Sequence, residues 1–354
     1  MAPTDKSRRL LIGYLVAAVA LAAAPRFLDA YQVDVLNSVG LYVLLALGLN
    51  LILGDAGLFN MGHAAFYAVG AYTAAILNTR LGVPILWAMP VSGLLAALFA
   101  LLVARPVVHL RGDYLLVVTI GLGEIVRIAL VNDVLGLTGG SNGIFGIARP
   151  VIFGQKIRKP DEFLYLIWGL VAVTVFLFHR LEQSRFGRAL TYLREDPVAA
   201  EGSGIDTARY RLMAFALGAA WAGMTGSIYA AKMTIISPES FSFWESVLVF
   251  LMVILGGSGS IPGVMVGAAI VVLMPEVFRD LATARMLVFG LVMMVMMVVR
   301  PQGLLPWRAP RFRREDALRG GGGGSGGGQG GARPVGGGSG GGGSGGAGPA
   351  EATP

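Results

Sequence analysis

Between Val33 and Leu53 the chain reads VDVLNSVGLYVLLALGLNLIL. That block has the length a helix needs to cross a hydrocarbon core of about 30 Å at about 1.5 Å per residue. Comparable blocks recur on both sides of it. Ten candidate spans result, at residues 10–28, 33–53, 62–79, 84–104, 114–132, 163–179, 212–231, 244–256, 262–278 and 285–299. The first, third, eighth and ninth are the weakest, and re-entrant or tilted segments among them leave eight to ten full spans. Composition agrees: the 354-residue chain is 55% hydrophobic and 14% charged, against roughly 25% charged for soluble domains. Its mean hydropathy of +0.68 would force a water-soluble fold to expose large apolar patches. The expected fold class is all-α, a polytopic transmembrane helical protein.

The chain has no cysteine, which excludes disulfides, thiolate metal sites and cysteine nucleophiles. His63, His109 and His179 lie far apart and lack metal-ligand spacing. The net charge of +7 sits mainly between apolar blocks and at the ends, the pattern of membrane topology rather than of nucleic-acid binding. Lys6, Arg8 and Arg9 precede the run Leu10–Ala24, but Pro25-Arg26 is a poor cleavage context, so this run reads as a retained first helix. With the N-terminus inside and ten alternating spans, 17 lysines and arginines fall inside and 9 outside, leaving aside Arg333 in the tail. Both termini are therefore expected in the cytoplasm. The layout is a cytoplasmic N-terminus (1–9), a transmembrane domain (10–305) with a charged cytoplasmic loop (180–211), and a basic, then Gly/Ser-rich, tail (306–354). Such a tail buries too little to fold and is expected to be disordered.

No lysine follows a glycine, so the phosphate loop G-x-x-x-x-G-K-[ST] is absent and this chain is not itself a P-loop ATPase. Nucleophile-elbow and zinc-protease motifs are also missing.

Four segments carry more than hydropathy. In the charged loop, Arg185-Phe186-Gly187-Arg188 precedes Arg194-Glu195-Asp196-Pro197-Val198-Ala199-Ala200-Glu201, then Gly204. Asp196 before Pro197 predicts a helix start, and a short helix Pro197–Ser203 would stop at Gly204. Ala199 and Ala200 would let it seat in a partner's groove, with flanking charges supplying orientation. The second segment runs from Leu49-Asn50-Leu51 through Gly54-Asp55-Ala56-Gly57-Leu58-Phe59-Asn60-Met61-Gly62-His63-Ala64-Ala65-Phe66 to Gly70-Ala71-Tyr72. Glycines there interrupt a helix, and freed backbone groups must face protein or water. Asn50, Asn60 and His63 either line a cavity or gate, or serve tight helix packing. The third segment holds Arg111-Gly112-Asp113-Tyr114, Thr119, and Glu124 with Arg127. Three residues apart on one helix face, the last two form either a structural ion pair or a path element. The fourth reads Leu255-Gly256-Gly257-Ser258-Gly259-Ser260-Ile261-Pro262-Gly263, with Arg300-Pro301-Gln302-Gly303-Leu304 at the close, a tight turn and a basic surface anchor in their plainest readings. Ile52-Leu53-Gly54…Gly57 and Ile254-Leu255-Gly256…Gly259 form a faint internal echo of the repeat-built transporters.

In this order the four segments resemble the branched-chain amino acid permease family of ATP-binding-cassette importers, in its LivM-type branch. The loop is similar to that family's R-x-D-x-x-A-A-x-x-x-G. The second segment is similar to its L-N-L-x-x-G-x-x-G-x-x-S-x-G-H-A-A-F-x-x-x-G-A-Y, with Asn60 in place of the usual serine. The resemblance spans roughly residues 33–305 and implies an importer of branched-chain, hydrophobic amino acids in a bacterial inner membrane. It implies a second permease subunit, two cytoplasmic ATPase subunits holding ATP and Mg, and a periplasmic or external amino-acid-binding protein, with no cofactor on this chain. Arg194, Glu195, Asp196, Ala199, Ala200, Glu201 and Gly204 would then couple to the ATPases. Asn50, Gly54, Gly57, Asn60, His63, Glu124 and Arg127 are candidates for the path or gate. Two rivals share the composition. One is a urea or short-chain amide permease of the same family. The other is an ion-driven secondary transporter, which would need in-span carboxylates, and Glu124 is the one such group identified.

Overall fold

Eight of the ten apolar blocks are helices in the computed structural model, which describes residues 24–107, 113–133, 136–152, 154–277, 290–291, 294–295, 298–300 and 303–305. The first block (10–28) and the last (285–299) fall largely outside the described residues, as do Arg111, Gly112 and the tail 306–354. The long helices are α1 (Ala30–Asn50), α2 (His63–Leu81), α3 (Ile85–Val107), α4 (Asp113–Val131), α5 (Pro160–Gln183), α8 (Thr207–Met233), α9 (Phe243–Gly256) and α10 (Ile261–Val277). Two short helices, α6 (Arg185–Glu195) and α7 (Pro197–Gly202), occupy most of the predicted charged loop.

Among the described residues six segments are long and apolar enough to cross a membrane: Ala30–Asp55, Ile85–Val107, Tyr114–Val131, Pro160–Gln183, Thr207–Met233 and Pro238–Gly256. At 17 residues α10 is shorter. Helix α2 has the length, at 19 residues, but carries His63, Tyr67, Tyr72, Asn78 and Arg80. Its placement explains the composition: most of α2 is buried between α3, α8 and their neighbours, so it needs no lipid-facing apolar stripe. Helix α4 is the opposite case, with Val117, Val118, Ile125 and Ile128 exposed on this chain.

Helix α8 is the axis on which α1, α2 and α3 pack. The close approach depends on small residues. A Cβ on Gly223 would lie 2.7 Å from the Ser92 carbonyl oxygen and 2.5 Å from the Ala96 methyl. Gly70 lies directly over Gly223, and Gly218 over the Gly48 carbonyl. One end of the bundle is tied by short strands. β1 (Ile144–Phe145), in the α4–α5 connection, pairs antiparallel with β4 (Ile235–Ile236), with Ile144 opposite Ile236. β2 (Val151–Ile152) pairs with β3 (Gln155–Lys156). At the same end Lys232 bonds Asp34 at 3.0 Å and the Ser38 hydroxyl at 3.1 Å, joining α8 to α1.

Adding bulk to a filled interface costs about 1–3 kcal/mol, and more where backbone blocks relaxation. Gly223→Leu is expected to lower the melting temperature of detergent-purified protein by several degrees or to prevent folding. Gly169→Ala, whose added methyl would meet no atom within 4 Å, should leave it unchanged. Equal melting temperatures for the two variants would contradict this packing.

Candidate functional site

The charged segment folds as its capping residues dictate. Ser184 begins α6, its hydroxyl accepting from the Gly187 N–H at 3.2 Å. Gly187, Ala189, Leu190 and Leu193 turn inward while Arg185, Arg188, Tyr192 and Glu195 stay exposed. Asp196 ends α6 and caps α7, accepting from Val198 N–H at 2.9 Å and Ala199 N–H at 3.1 Å. The predicted helix from Pro197 is present, and Gly204 follows it at φ +81. The two alanines part company: Ala199 is exposed and Ala200 is buried against this chain, so only Ala199 is open to a partner. The Glu201 carboxylate accepts from the Thr207 hydroxyl at 2.6 Å, fixing the turn into α8.

Arg194 points the other way, into the body. Its Nη1 donates to the Gly54 carbonyl, its Nη2 lies 3.5 Å from the Ser258 hydroxyl, and its aliphatic stem rests on Gly57. This contact falls where α1 breaks. After Asn50 the helix widens into a single π-turn, Leu51–Asp55, and Gly57 takes φ +68. The wider turn frees carbonyls from the regular ladder, and Arg194 takes one of them. Asn50 supplies a second tie, its Oδ1 accepting from the Gly259 N–H at 2.8 Å. Gly54 sits against both groups with no room for a side chain.

Gly259 belongs to the turn between α9 and α10, where Gly257 and Gly259 adopt φ of 110 and 84. The closing segment joins here too. Leu304 and Leu305 donate to the Leu255 and Gly256 carbonyls at 2.9 and 3.0 Å, and Gly303 packs on Gly257. The plain reading of that segment as a surface anchor is therefore incomplete, because its backbone caps the C-terminal end of α9. The two halves of the internal echo meet face to face at this knot.

Beyond the break the chain returns alongside α1, bringing His63 next to Gly48. Met61 N–H donates to the Thr119 hydroxyl at 3.1 Å, and Ala64 N–H to the Ser246 hydroxyl at 2.9 Å. Asn60 and His63 are fully buried. Asn60 Oδ1 accepts from Gly62 N–H at 2.9 Å, while its Nδ2 has no partner among the described residues. Among the described residues neither ring nitrogen of His63 makes a hydrogen bond of good geometry, and the ring stands edge-on to Phe66, centroids 6.2 Å apart.

Glu124 and Arg127 pair as the spacing predicts, with Arg127 Nε 3.0 Å from Glu124 Oε1. Arg127 also reaches Glu239 at 3.3 Å. Both side chains are partly exposed, 41% and 25%, and they do not join the Asn50–Gly54–Arg194 group. Sequence reasoning missed two residues. Ser258 is a hydroxyl in a glycine-rich turn, and no local pattern marks it as a neighbour of Arg194. Glu245 is the single charged residue in the block 244–256, so Glu124 is not the one clear in-span carboxylate. Among the described residues no cluster of His, Asp and Glu could hold a metal ion.

Long apolar helices, a buried glycine break and non-helical backbone enclosed by protein define a multi-pass membrane permease. Residues 31–299 match the family described as branched-chain amino acid transport system, permease component, and the chain belongs to that family. It is 40% identical over 333 residues to the high-affinity branched-chain amino acid transport system permease protein LivM of Escherichia coli K12, covering 88% of this chain and 77% of that one. The Salmonella typhimurium LivM is 39% identical over the same shares. The Salmonella typhimurium LivH is 25% identical over 288 residues, 75% of this chain and 91% of that protein. No solved structure is a significant match.

Replacing Asn50 by leucine removes the acceptor of the buried Gly259 N–H, a loss of about 1–3 kcal/mol. Asn50→Leu is expected to unfold at lower denaturant in detergent than the parent. An unchanged midpoint would show that this bond contributes nothing.

Proposed function

We propose that this chain is one of two membrane permease subunits of an ATP-binding-cassette importer carrying branched-chain, hydrophobic amino acids across a bacterial inner membrane. ATP hydrolysis occurs on two separate cytoplasmic subunits, where ATP and Mg are held. A periplasmic or external binding protein delivers the amino acid. Both termini and the α6–α7 segment lie on the cytoplasmic side.

The observation that carries this reading is the Arg194 contact. The outer face of α6–α7 presents Glu195, Asp196, Val198, Ala199 and Glu201, a short ridge of charge and small apolar groups suited to a groove on another protein. Its inner face ends in Arg194, bonded to the break in α1 and beside the α9–α10 turn. A displacement of the ridge by a partner is thereby delivered to two points where helices are already interrupted. Family membership supports the same assignment, as do relatives named for branched-chain amino acid transport.

The test uses the permease pair co-purified with its ATPases and reconstituted with loaded binding protein. Asp196→Lys and Glu201→Lys reverse charge on the docking ridge. Each is expected to cut leucine uptake at least tenfold while ATP hydrolysis persists and the chain still inserts. Asp196→Lys also loses a helix cap and Glu201→Lys the bond from the Thr207 hydroxyl, each at a cost of about 1 kcal/mol, so the melting temperature of each variant is measured beside its uptake. Wild-type uptake in both variants would remove the coupling assignment.

A further inference from the structure

Helix α9 reads FWESVLVFLMVILG, and Glu245 is its single charge. A carboxylate in a membrane span is costly facing lipid, so it faces a partner, a path or a counter-charge. Among the described residues no lysine, arginine or histidine forms an ion pair with it. The Tyr42 hydroxyl donates to the carboxylate Oε1 at 2.7 Å. Tyr42 is midway along the span Ala30–Asp55. Glu245, Tyr42 and Tyr229 are all half-buried on this chain, so the group is reachable from outside it.

A cluster of aromatic residues lies nearby. Tyr67 and Tyr229 lie 5.4 Å apart, and Phe241 is 5.2 Å from Tyr67 and 5.9 Å from Tyr229. Tyr42, Tyr67, Tyr229 and Glu245 are within electrostatic range of one another. Tyr72 stands 5.9 Å from Phe241, with its buried hydroxyl unpartnered among the described residues. The next residue, Ser246, accepts from Ala64 N–H at 2.9 Å, so two helices that start within the bundle meet beside the carboxylate. Transporter sites are commonly built where such discontinuous helices meet. A carboxylate lacking a counter-ion among the described residues, held by a tyrosine hydroxyl within a span, is matched to a small organic cation that can donate hydrogen bonds to it.

We propose that Glu245, with the half-buried Tyr42 and Tyr229 beside it, is a way-station for the primary ammonium group of the transported amino acid. This rests on the amino-acid importer reading above. The carboxylate supplies charge, and the Tyr42 hydroxyl fixes the carboxylate's orientation. The side chain of the solute plays no part in this contact, so the site selects for the amino group and leaves aliphatic selectivity elsewhere.

The experiment measures leucine uptake by the reconstituted complex carrying wild type, Glu245→Gln, Glu245→Asn, Glu245→Asp or Tyr42→Phe. Co-purification with the partner subunits and melting temperature report assembly. Glu245→Gln removes the charge with little change of shape and should lower uptake roughly tenfold or more, as expected for losing a desolvated cation contact. Glu245→Asp keeps the charge and should recover a substantial part. Tyr42→Phe should lose about threefold or less, since the charge remains. Wild-type uptake by an assembled Glu245→Gln complex overturns the proposal. So does Glu245→Asp uptake as low as that of Glu245→Gln, because shape rather than charge would then be in control. Should Glu245→Gln fail to assemble, Glu245→Asp and Glu245→Asn decide: uptake by an assembled Glu245→Asn complex equal to that of Glu245→Asp overturns the site, and uptake roughly tenfold or more below it supports the site. A wild-type complex that takes up no leucine with loaded binding protein rejects the importer reading itself, a separate outcome from loss of the way-station alone.

Discussion

The bond from the Arg194 guanidinium to the Gly54 carbonyl is the contact on which the rest of the site depends. A helix that widens and breaks inside a membrane protein leaves carbonyls without their regular donors, and lipid offers none in return. A charged donor satisfies one of them with about 1.5–3 kcal/mol. The same side chain rests on Gly57 and lies beside Ser258. One residue of the charged segment therefore stabilises the break in α1 and touches the turn between α9 and α10. Asn50 closes the arrangement by bonding Gly259 directly.

This geometry suits a part that must move as a unit. The glycine-packed contacts of α8 with α1, α2 and α3 leave little room for independent sliding, because backbone meets backbone there. The helical ladder is interrupted instead at the π-turn, at Gly57 and at the Gly257–Gly259 turn, the three glycines having positive φ. Arg194 joins those points to the exposed ridge of α7. In the proposed importer, force from the partner ATPases enters at the ridge and leaves at the interruptions. The Tyr42–Glu245 pair lies further along the same two helices, α1 and α9.

The helices were legible because a span imposes a length and an apolar composition that no other element shares. The start of α7 was legible because Asp-Pro carries its own capping chemistry, and the break after Asn50 because glycines cluster there. Other features were hidden for identifiable reasons. The partner of Arg194 is 140 positions away, and no local pattern announces a side chain-to-carbonyl bond. Glu245 is one residue in a long apolar block, where hydropathy averages it away. The weak hydropathy of α2 signalled enclosure by neighbours, a tertiary fact. The contribution of Gly303–Leu305 is made by backbone N–H groups, which any residue but proline carries. The β1–β4 pairing depends on strands of two residues, too short to show alternation.

The most direct measurement is the number of leucine molecules carried per ATP hydrolysed by the reconstituted complex when Arg194 is replaced by alanine. The account predicts that hydrolysis continues while the ratio falls at least tenfold, because the ridge still docks but no longer pulls on the break. A ratio equal to that of the wild type would contradict it, as would leucine uptake by the purified chain alone on a proton or sodium gradient.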